Sequence, residues 1–220
     1  MISIAIDGPA SSGKSSVGTR VAQRLGCLFL DTGLLYRAVT AAALAEGSVA
    51  EPLRLSALAR DTRIEAADGS VGIAVGARRF VARDLERAEV EREVPIVAAI
   101  PDVRAALRDE QRAFARGRDA VLAGRDIGTV VLPDAAHKFF LDASPESRAE
   151  RRARQRGVPI GSAEHLSLVE DLRFRDANDR SRAVAPLAAA ADAQVIDTDS
   201  RTPDEVVELL VAAVRGARGD

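Results

Sequence analysis

The residues Gly8-Pro9-Ala10-Ser11-Ser12-Gly13-Lys14-Ser15 match the pattern G-x-x-x-x-G-K-[ST] in full, with Ser16 directly behind them. They lie between an apolar run at 2–7 and an amphipathic stretch at 14–25, and no other feature of the chain limits its fold as strongly. A glycine-rich loop that leaves a strand and opens a helix is built to cradle phosphates. Gly8 and Gly13 let the backbone bend closely, successive N–H groups turn inward, and the helix start adds its positive end. In such a loop Lys14 reaches the β- and γ-phosphates as a flexible point charge, and the Ser15 hydroxyl ligates Mg²⁺. Lys14 is therefore expected on phosphates and not in a core. The competing reading is a plain glycine-rich turn. At this chain's own glycine and lysine usage the full pattern arises by accident in about one chain in a thousand, so nucleotide binding is the stronger reading. The loop alone does not separate kinases from GTPases or ATPase motors.

The surroundings of the loop are those of an α/β protein. Short apolar, β-branched runs at 2–7, 27–31, 119–124, 137–142 and 194–197 are each followed by a loop or a helical pattern, as in a parallel sheet covered by helices. Within 14–25, Val17, Val21, Ala22 and Leu25 share one face, and Gly26 supplies a stop. Ser144-Pro145 and Ser162 read as helix starts. Thr202-Pro203-Asp204-Glu205 offers an N-cap, a proline at the first helical position and a capping-box glutamate. The stretch 63–84 is of another kind. RIEAA, a turn at Asp68-Gly69, VGIAV and RRFVA predict a small antiparallel hairpin or three-stranded sheet, bracketed by helices at 53–59 and 103–116. Residues 37–117 are thus expected to form an inserted subdomain. The chain shows no internal repeat and no low-complexity tract, and only its last few residues read as a tail.

Composition narrows the chemistry. A formal net charge of -2 argues against a dedicated nucleic-acid or membrane-surface binder. Aromatic residues make up 3% with no tryptophan, too few for an RNA binder that stacks bases. No apolar stretch approaches the length of a membrane span, and Met1 runs into ISIAI with no basic segment before it, so no secretory signal is expected. Cys27 is the single cysteine; it cannot form an internal disulfide, and a reducing, cytoplasmic setting is expected. The chain is rich in arginine yet has only two lysines, Lys14 and Lys138. No N-K-x-D motif of a guanine-binding protein is present. Arginines cluster instead, in RAERRARQR at 148–156 and at Arg173, Arg175, Arg180 and Arg182. For most of them a solvated helix face with Glu146 and Glu150 as partners is the simpler reading. An anionic ligand is already implied, however, and planar guanidinium groups stabilise a phosphoryl group in transfer. A nucleoside monophosphate, with a second phosphate pKa of about 6, is its own dianionic nucleophile, so positioning, charge neutralisation and exclusion of water suffice.

Four segments, GPASSGKSS, LDTGLLYRAV, LAGRDIGTVVLPDAAHKFFLDASPESRAERR and RDANDRSRAVAPL, together resemble the bacterial cytidylate (CMP) kinase family, nearly end to end and in family order. The resemblance implies a P-loop nucleoside-monophosphate-kinase fold: a five-stranded parallel sheet, an inserted subdomain with a small antiparallel sheet, and a short lid. Residues 1–36, 118–147 and 166–220 would form the core, 37–117 the monophosphate-binding subdomain and 148–165 the lid. It implies ATP-dependent phosphorylation of CMP and dCMP with Mg²⁺, by a monomer that uses neither nucleic acid nor membrane. Carried over by position, Thr32, Tyr36 and Arg37 look like acceptor-side groups, with Arg37 on the CMP phosphate, and Arg104 resembles a residue that contacts cytosine. Arg125 and Asp126 match a pair that holds phosphate and base. Arg175, Asp179 and Arg182 match a group around ribose and phosphates. Arg148, Arg151 and Arg152 fall where lid arginines lie, near the adenine and the moving phosphoryl; Lys14, Arg125, Arg151, Arg152 and Arg182 would act in transfer. The residues themselves support part of this. Arg125 and Asp126 follow a strand at the edge where open α/β sheets bind ligands, and the Asp126 carboxylate can accept from the cytosine amine that uracil lacks; an Arg–Asp pair or loop cap is the alternative. One departure stands out: Pro95 occupies the place of a hydroxyl residue that helps read the base, and proline has no side-chain donor or acceptor. Either cytosine selectivity is looser here or the correspondence shifts by a residue or more in EVEREVPIVAAIPDVR.

Overall fold

The computed structural model describes residues 1–67 and 69–217. Asp68, half of the expected Asp68-Gly69 turn, and the tail residues 218–220 lie outside the described residues. In chain order the first elements are β1 (Ser3–Asp7), α1 (Lys14–Leu25), β2 (Leu28–Asp31), α2 (Gly33–Glu46) and α3 (Pro52–Arg60). Next come β3 (Thr62–Ala67), β4 (Ser70–Val75), β5 (Arg78–Phe80), α4 (Ala82–Leu85), α5 (Ala88–Val97) and α6 (Pro101–Ala115). Then follow β6 (Ala120–Gly124), a π-type turn at Ile127–Val131, β7 (His137–Asp142), α7 (Pro145–Arg156), α8 (Ala163–Ser181), β8 (Gln194–Asp197) and α9 (Pro203–Gly216). Five strands form a parallel sheet in the order β2-β6-β1-β7-β8, and three form an antiparallel sheet in the order β3-β4-β5. Residues 28–120, with Met1, make one compact unit; residues 2–27 and 121–220 make another.

In the unit that holds the phosphate loop, β1 is buried along nearly its whole length, and β6 along all of it. That is why SIAID and AVLAG read as continuous apolar runs and not as alternating ones. Ile4 lies opposite His137 and Asp7 opposite Phe140 in the pairing of β1 with β7, while Phe139 to Asp142 pair with Gln194 to Asp197. In this register β7 runs two residues beyond the end of β1, so the loops that leave the two parallel strands emerge on the same edge of the sheet. α1 begins at Gly13, with φ 94°, and ends at Gly26, with φ 69°, whose N–H donates to the Ala22 carbonyl; both conformations suit glycine. α9 starts in a complete capping box between Thr202 and Glu205 and buries Val206, Val207, Leu210, Val211 and Val214. It also braces α1 through ion pairs Arg20–Asp204 and Arg24–Glu208.

The other unit has its own core. α2 supplies Leu35, Val39 and a run of buried alanines, Ala38, Ala41, Ala42 and Ala43, small enough to let neighbouring elements approach closely. Around it pack Leu55 and Leu58 of α3, Val90, Val94 and Val97 of α5, Val103 and Leu107 of α6, and Ile73, Val75 and Phe80 from one side of the small sheet. Each such side chain contributes on the order of 1.5–3 kcal/mol of burial. The small sheet pairs Thr62 with Val75 through Ala67 with Ser70, and Ile73 with Phe80 through Val75 with Arg78. The expected three-stranded insertion is therefore present. Three expected strands begin one residue later than the apolar runs suggested, and α2, α5 and the π-type turn were not anticipated at all. Pro95 lies in the last turn of α5, where it has no N–H to donate to the Glu91 carbonyl one turn back, and the helix ends two residues on.

Candidate functional site

The phosphate loop owes its shape to contacts that admit few other residues. Gly8 has φ 151°, and a Cβ there would lie 2.2 Å from the Leu141 carbonyl oxygen of β7, so any side chain would drive the loop off the sheet. Ser11 takes a left-handed conformation at φ 59°. Lys14 is buried, against expectation, though beneath the loop and not among apolar side chains: its Nζ donates to the Pro9 carbonyl at 2.5 Å and to Ser12 Oγ at 3.1 Å. Its charge thus sits within the loop that begins α1. Ser15 and Ser16 lie exposed in the first turn of that helix.

The arginines of α7 divide sharply. Arg148 is 1% exposed, and its fork is fully engaged: Nε donates to the Ala143 carbonyl at 3.0 Å, Nη1 to the Ala10 carbonyl at 3.0 Å, and both terminal nitrogens to the carboxylate of Asp176. It reaches the phosphate loop through the Ala10 backbone. Arg151 donates to Oγ1 and the carbonyl of Thr198, and Arg152 is half-buried beside it. Glu146 and Glu150 pair with the exposed Arg173 and Arg154, so for those two arginines the solvated-face reading holds. Residues 148–165 comprise most of α7, the turn from Gly157 to Ser162, and the start of α8. In that turn His165 Nδ1 accepts from the Gly161 N–H at 3.1 Å.

At the end of β6, Arg125 and Asp126 turn into the π-type segment. Arg125 Nε donates to Asp179 Oδ2 at 3.0 Å, and Arg182 Nη2 lies 2.5 Å from the other oxygen, with the Asp179 side chain 3% exposed. One buried carboxylate of α8 thus gathers Arg125 and Arg182, while Arg175 is half-buried one turn earlier. Asp126 is buried. Immediately beyond it the N–H groups of Ile127 and Gly128 donate to Oδ1 and Oδ2 of Asp7 at 2.8 and 2.7 Å. Burial pushes the Asp7 carboxyl up to about 6; the two N–H groups pull the other way, the Asp126 charge adds to the rise, and Lys14 opposes it.

In the other unit Thr32 is buried just ahead of α2, next to a turn in which the Gly33 N–H donates to Asp31 Oδ1 at 3.0 Å. The Arg104 guanidinium lies 5.5 Å from the centre of the Tyr36 ring and donates to the Ala98 carbonyl at 3.2 Å. Arg37 donates to the Leu85 carbonyl at 3.1 Å and faces Glu91 at 3.5 Å. Tyr36 and Arg104 are therefore brought together, and each arginine is held by backbone from the helices that follow the small sheet. Two residues of the site escaped sequence reasoning. Asp7 had a signal, a carboxylate closing an otherwise apolar buried strand. Asp176 had one too, since it stands three residues before Asp179 and so on the same face of α8.

A strand-loop-helix phosphate cradle with a lysine inside it, flanked by buried carboxylates that array arginines, defines a P-loop phosphotransferase. A shikimate kinase from Bacteroides thetaiotaomicron superposes with a TM-score of 0.52 over 100% of this chain and 99% of its own, at 13% identity, a likeness of fold alone. The family model for cytidylate kinase matches residues 4–216, and the chain belongs to that family. It is 41% identical over 219 residues to a cytidylate kinase of Pelotomaculum thermopropionicum, covering 98% of this chain and 96% of the relative. It is 43% identical over 217 residues to one of Azorhizobium caulinodans, covering 98% and 99%.

Proposed function

We infer that the protein transfers the γ-phosphoryl group of ATP to CMP and dCMP, giving CDP and dCDP. The observation that carries this is the match to the cytidylate kinase family along essentially the whole chain, phosphate loop included. In the mechanism we propose, the loop from Gly8 to Ser16, through its backbone N–H groups other than at Pro9, and the Lys14 ammonium hold the ATP phosphates. Ser15 offers a hard oxygen at the mouth of α1. Among the described residues no group of three His, Cys, Asp or Glu side chains could hold a metal ion. That donor set fits a Mg²⁺ ion that arrives with the nucleotide, keeps water ligands and takes a single protein hydroxyl. Bound there, the ion would neutralise charge on the β- and γ-phosphates.

Arg151 and Arg152 are assigned to the moving phosphoryl, and Arg148 to the shape of the loop through Ala10. On the acceptor side, the resemblance assigns Thr32, Tyr36, Arg37, Arg104, Arg125, Asp126, Arg175, Asp179 and Arg182 to the monophosphate. Arginine takes the phosphate, and the Asp126 carboxylate accepts from the cytosine amine. The acceptor phosphate attacks in line, so no side chain need serve as nucleophile. Residues 37–117 as the monophosphate-binding subdomain, 148–165 as the lid, and work as a monomer in the cytoplasm belong to the same proposal. No helix among the described residues is long and apolar enough to cross a membrane. The test is ADP formation from Mg·ATP with CMP, dCMP, UMP, AMP and GMP offered separately. Turnover concentrated on CMP and dCMP is expected. Comparable turnover of UMP would point to Pro95 as the source of a relaxed pyrimidine site, and no turnover with any monophosphate would overturn the proposal.

A further inference from the structure

Asp7 ends β1, and its neighbour Gly8 opens the phosphate loop. Its side chain spans to the turn after β6. We propose that Asp7 is a positioning residue for the acceptor: its two carboxylate oxygens fix the backbone of Ile127 and Gly128, and so hold the Arg125-Asp126 corner in the orientation that binds the pyrimidine monophosphate. This rests on the assignment of Asp126 to the cytosine ring.

The geometry explains why a carboxylate stands here. The first N–H groups of a helical turn have no partner within it, and at this turn two successive ones, of Ile127 and Gly128, point the same way. Oδ1 accepts one at 2.8 Å and Oδ2 the other at 2.7 Å. Asparagine offers one acceptor and would set its own NH₂ against the second N–H. Serine offers a single oxygen. The backbone is also pressed from the far side. A Cβ at position 128 would meet Asp7 Oδ2 at 3.4 Å and Lys138 Cδ at 3.3 Å, so glycine is what lets the turn lie between the carboxylate and the lysine stem. Lys138 is itself anchored, with Nζ donating to the Pro133 carbonyl and to both oxygens of Asp192. The turn is therefore clamped on two sides by strands β1 and β7. Keeping an ionised group in so buried a place opposes folding, with Asp126 against it and the two N–H groups and Lys14 only partly offsetting the burial. A residue chosen for stability alone would be uncharged.

The test compares Asp7→Asn, Gly128→Ala and Asp126→Ala by steady-state kinetics with CMP, UMP and ATP varied in turn. Asp7→Asn is expected to raise KM for CMP about tenfold while KM for ATP changes less than about twofold. Its preference for CMP over UMP should fall toward that of Asp126→Ala, and the double variant Asp7→Asn/Asp126→Ala should lose no further preference. Gly128→Ala, which displaces the same turn from Asp7 without touching a charge, should give the same split, and it decides the matter if Asp7→Asn does not fold. Equal rises in KM for CMP and ATP, or an unchanged CMP preference in variants whose turn is disturbed while Asp126→Ala loses it, would overturn the inference. An Asp126→Ala protein that still discriminates CMP from UMP would overturn the acceptor assignment, and this inference with it.

Discussion

Burial raises the Asp7 carboxyl from 3.8 to about 6, and the consequence for stability has a definite sign. The unfolded chain releases this proton near 3.8 and the folded chain near 6. The stabilisation that the proton brings is fully present below the lower value and is lost as the pH rises through 6. A gap of about two pH units corresponds to about 3 kcal/mol. Asp7→Asn cannot titrate, so its stability relative to the parent protein should improve by about that amount between pH 4 and pH 7. Urea unfolding of both proteins at several pH values measures this, and parallel curves would show that Asp7 does not titrate as described. Lys14 makes the opposite point, of a charge whose use is kinetic. Its ammonium donates to the Pro9 carbonyl and Ser12 Oγ of its own loop and is not packed among apolar side chains, so Lys14→Ala should lower kcat at least a thousandfold and shift the melting temperature by only a few degrees. Assay and thermal melt together check it; near-normal turnover would remove the loop from the mechanism. Lys14 was visible in the sequence because its motif is local. Arg148 was not separable from Arg151 and Arg152, because nothing in RAERRARQR says which arginine faces inward.

At the scale of elements, what was legible followed from local chemistry. The capping box of α9, the glycine stop of α1 and the proline starts of α3 and α7 are all written in adjacent residues, and each helix was expected within a residue or two of its observed start. α2 gave no periodic signal because alanines line it and it is buried on several sides. α5 was obscured by Pro95, a residue that usually breaks a helix and here lies inside one. The pairing of α7 with α8 could not be read at all, since it depends on Arg148 meeting Asp176 across a sequence distance of 28 residues. That pair should be costly to break. Removing one partner leaves the other charge buried, so Arg148→Ala and Asp176→Ala are each expected to destabilise the protein by about 3–5 kcal/mol in denaturant unfolding. A change below about 1 kcal/mol would mean that the pair is dispensable. The exposed pair of Arg173 with Glu146 joins the same two helices, yet it should contribute little when broken.

At the scale of the whole molecule, the division of labour is in its charges. In the proposed mechanism the metal takes a single protein hydroxyl, so Mg²⁺ alone, titrated calorimetrically into the protein at millimolar concentration, should give no saturable binding, whereas Mg²⁺ with ATP should. Saturable binding of the ion alone would place carboxylates in the metal site. The packing of the phosphate loop also sets a schedule for the growing chain. Gly8 lies against the backbone of Leu141, and α1 is braced by α9, so the phosphate loop depends on two segments made after it. At about 5–20 residues per second, the ribosome needs about 10–40 s to pass from Gly8 to the end of α9. For that interval the loop has been made but lacks the surfaces that shape it. A nascent chain therefore gains its nucleotide grip only once β7 and α9 have been made, and shortened products ending before β7 should have no hold on cellular ATP.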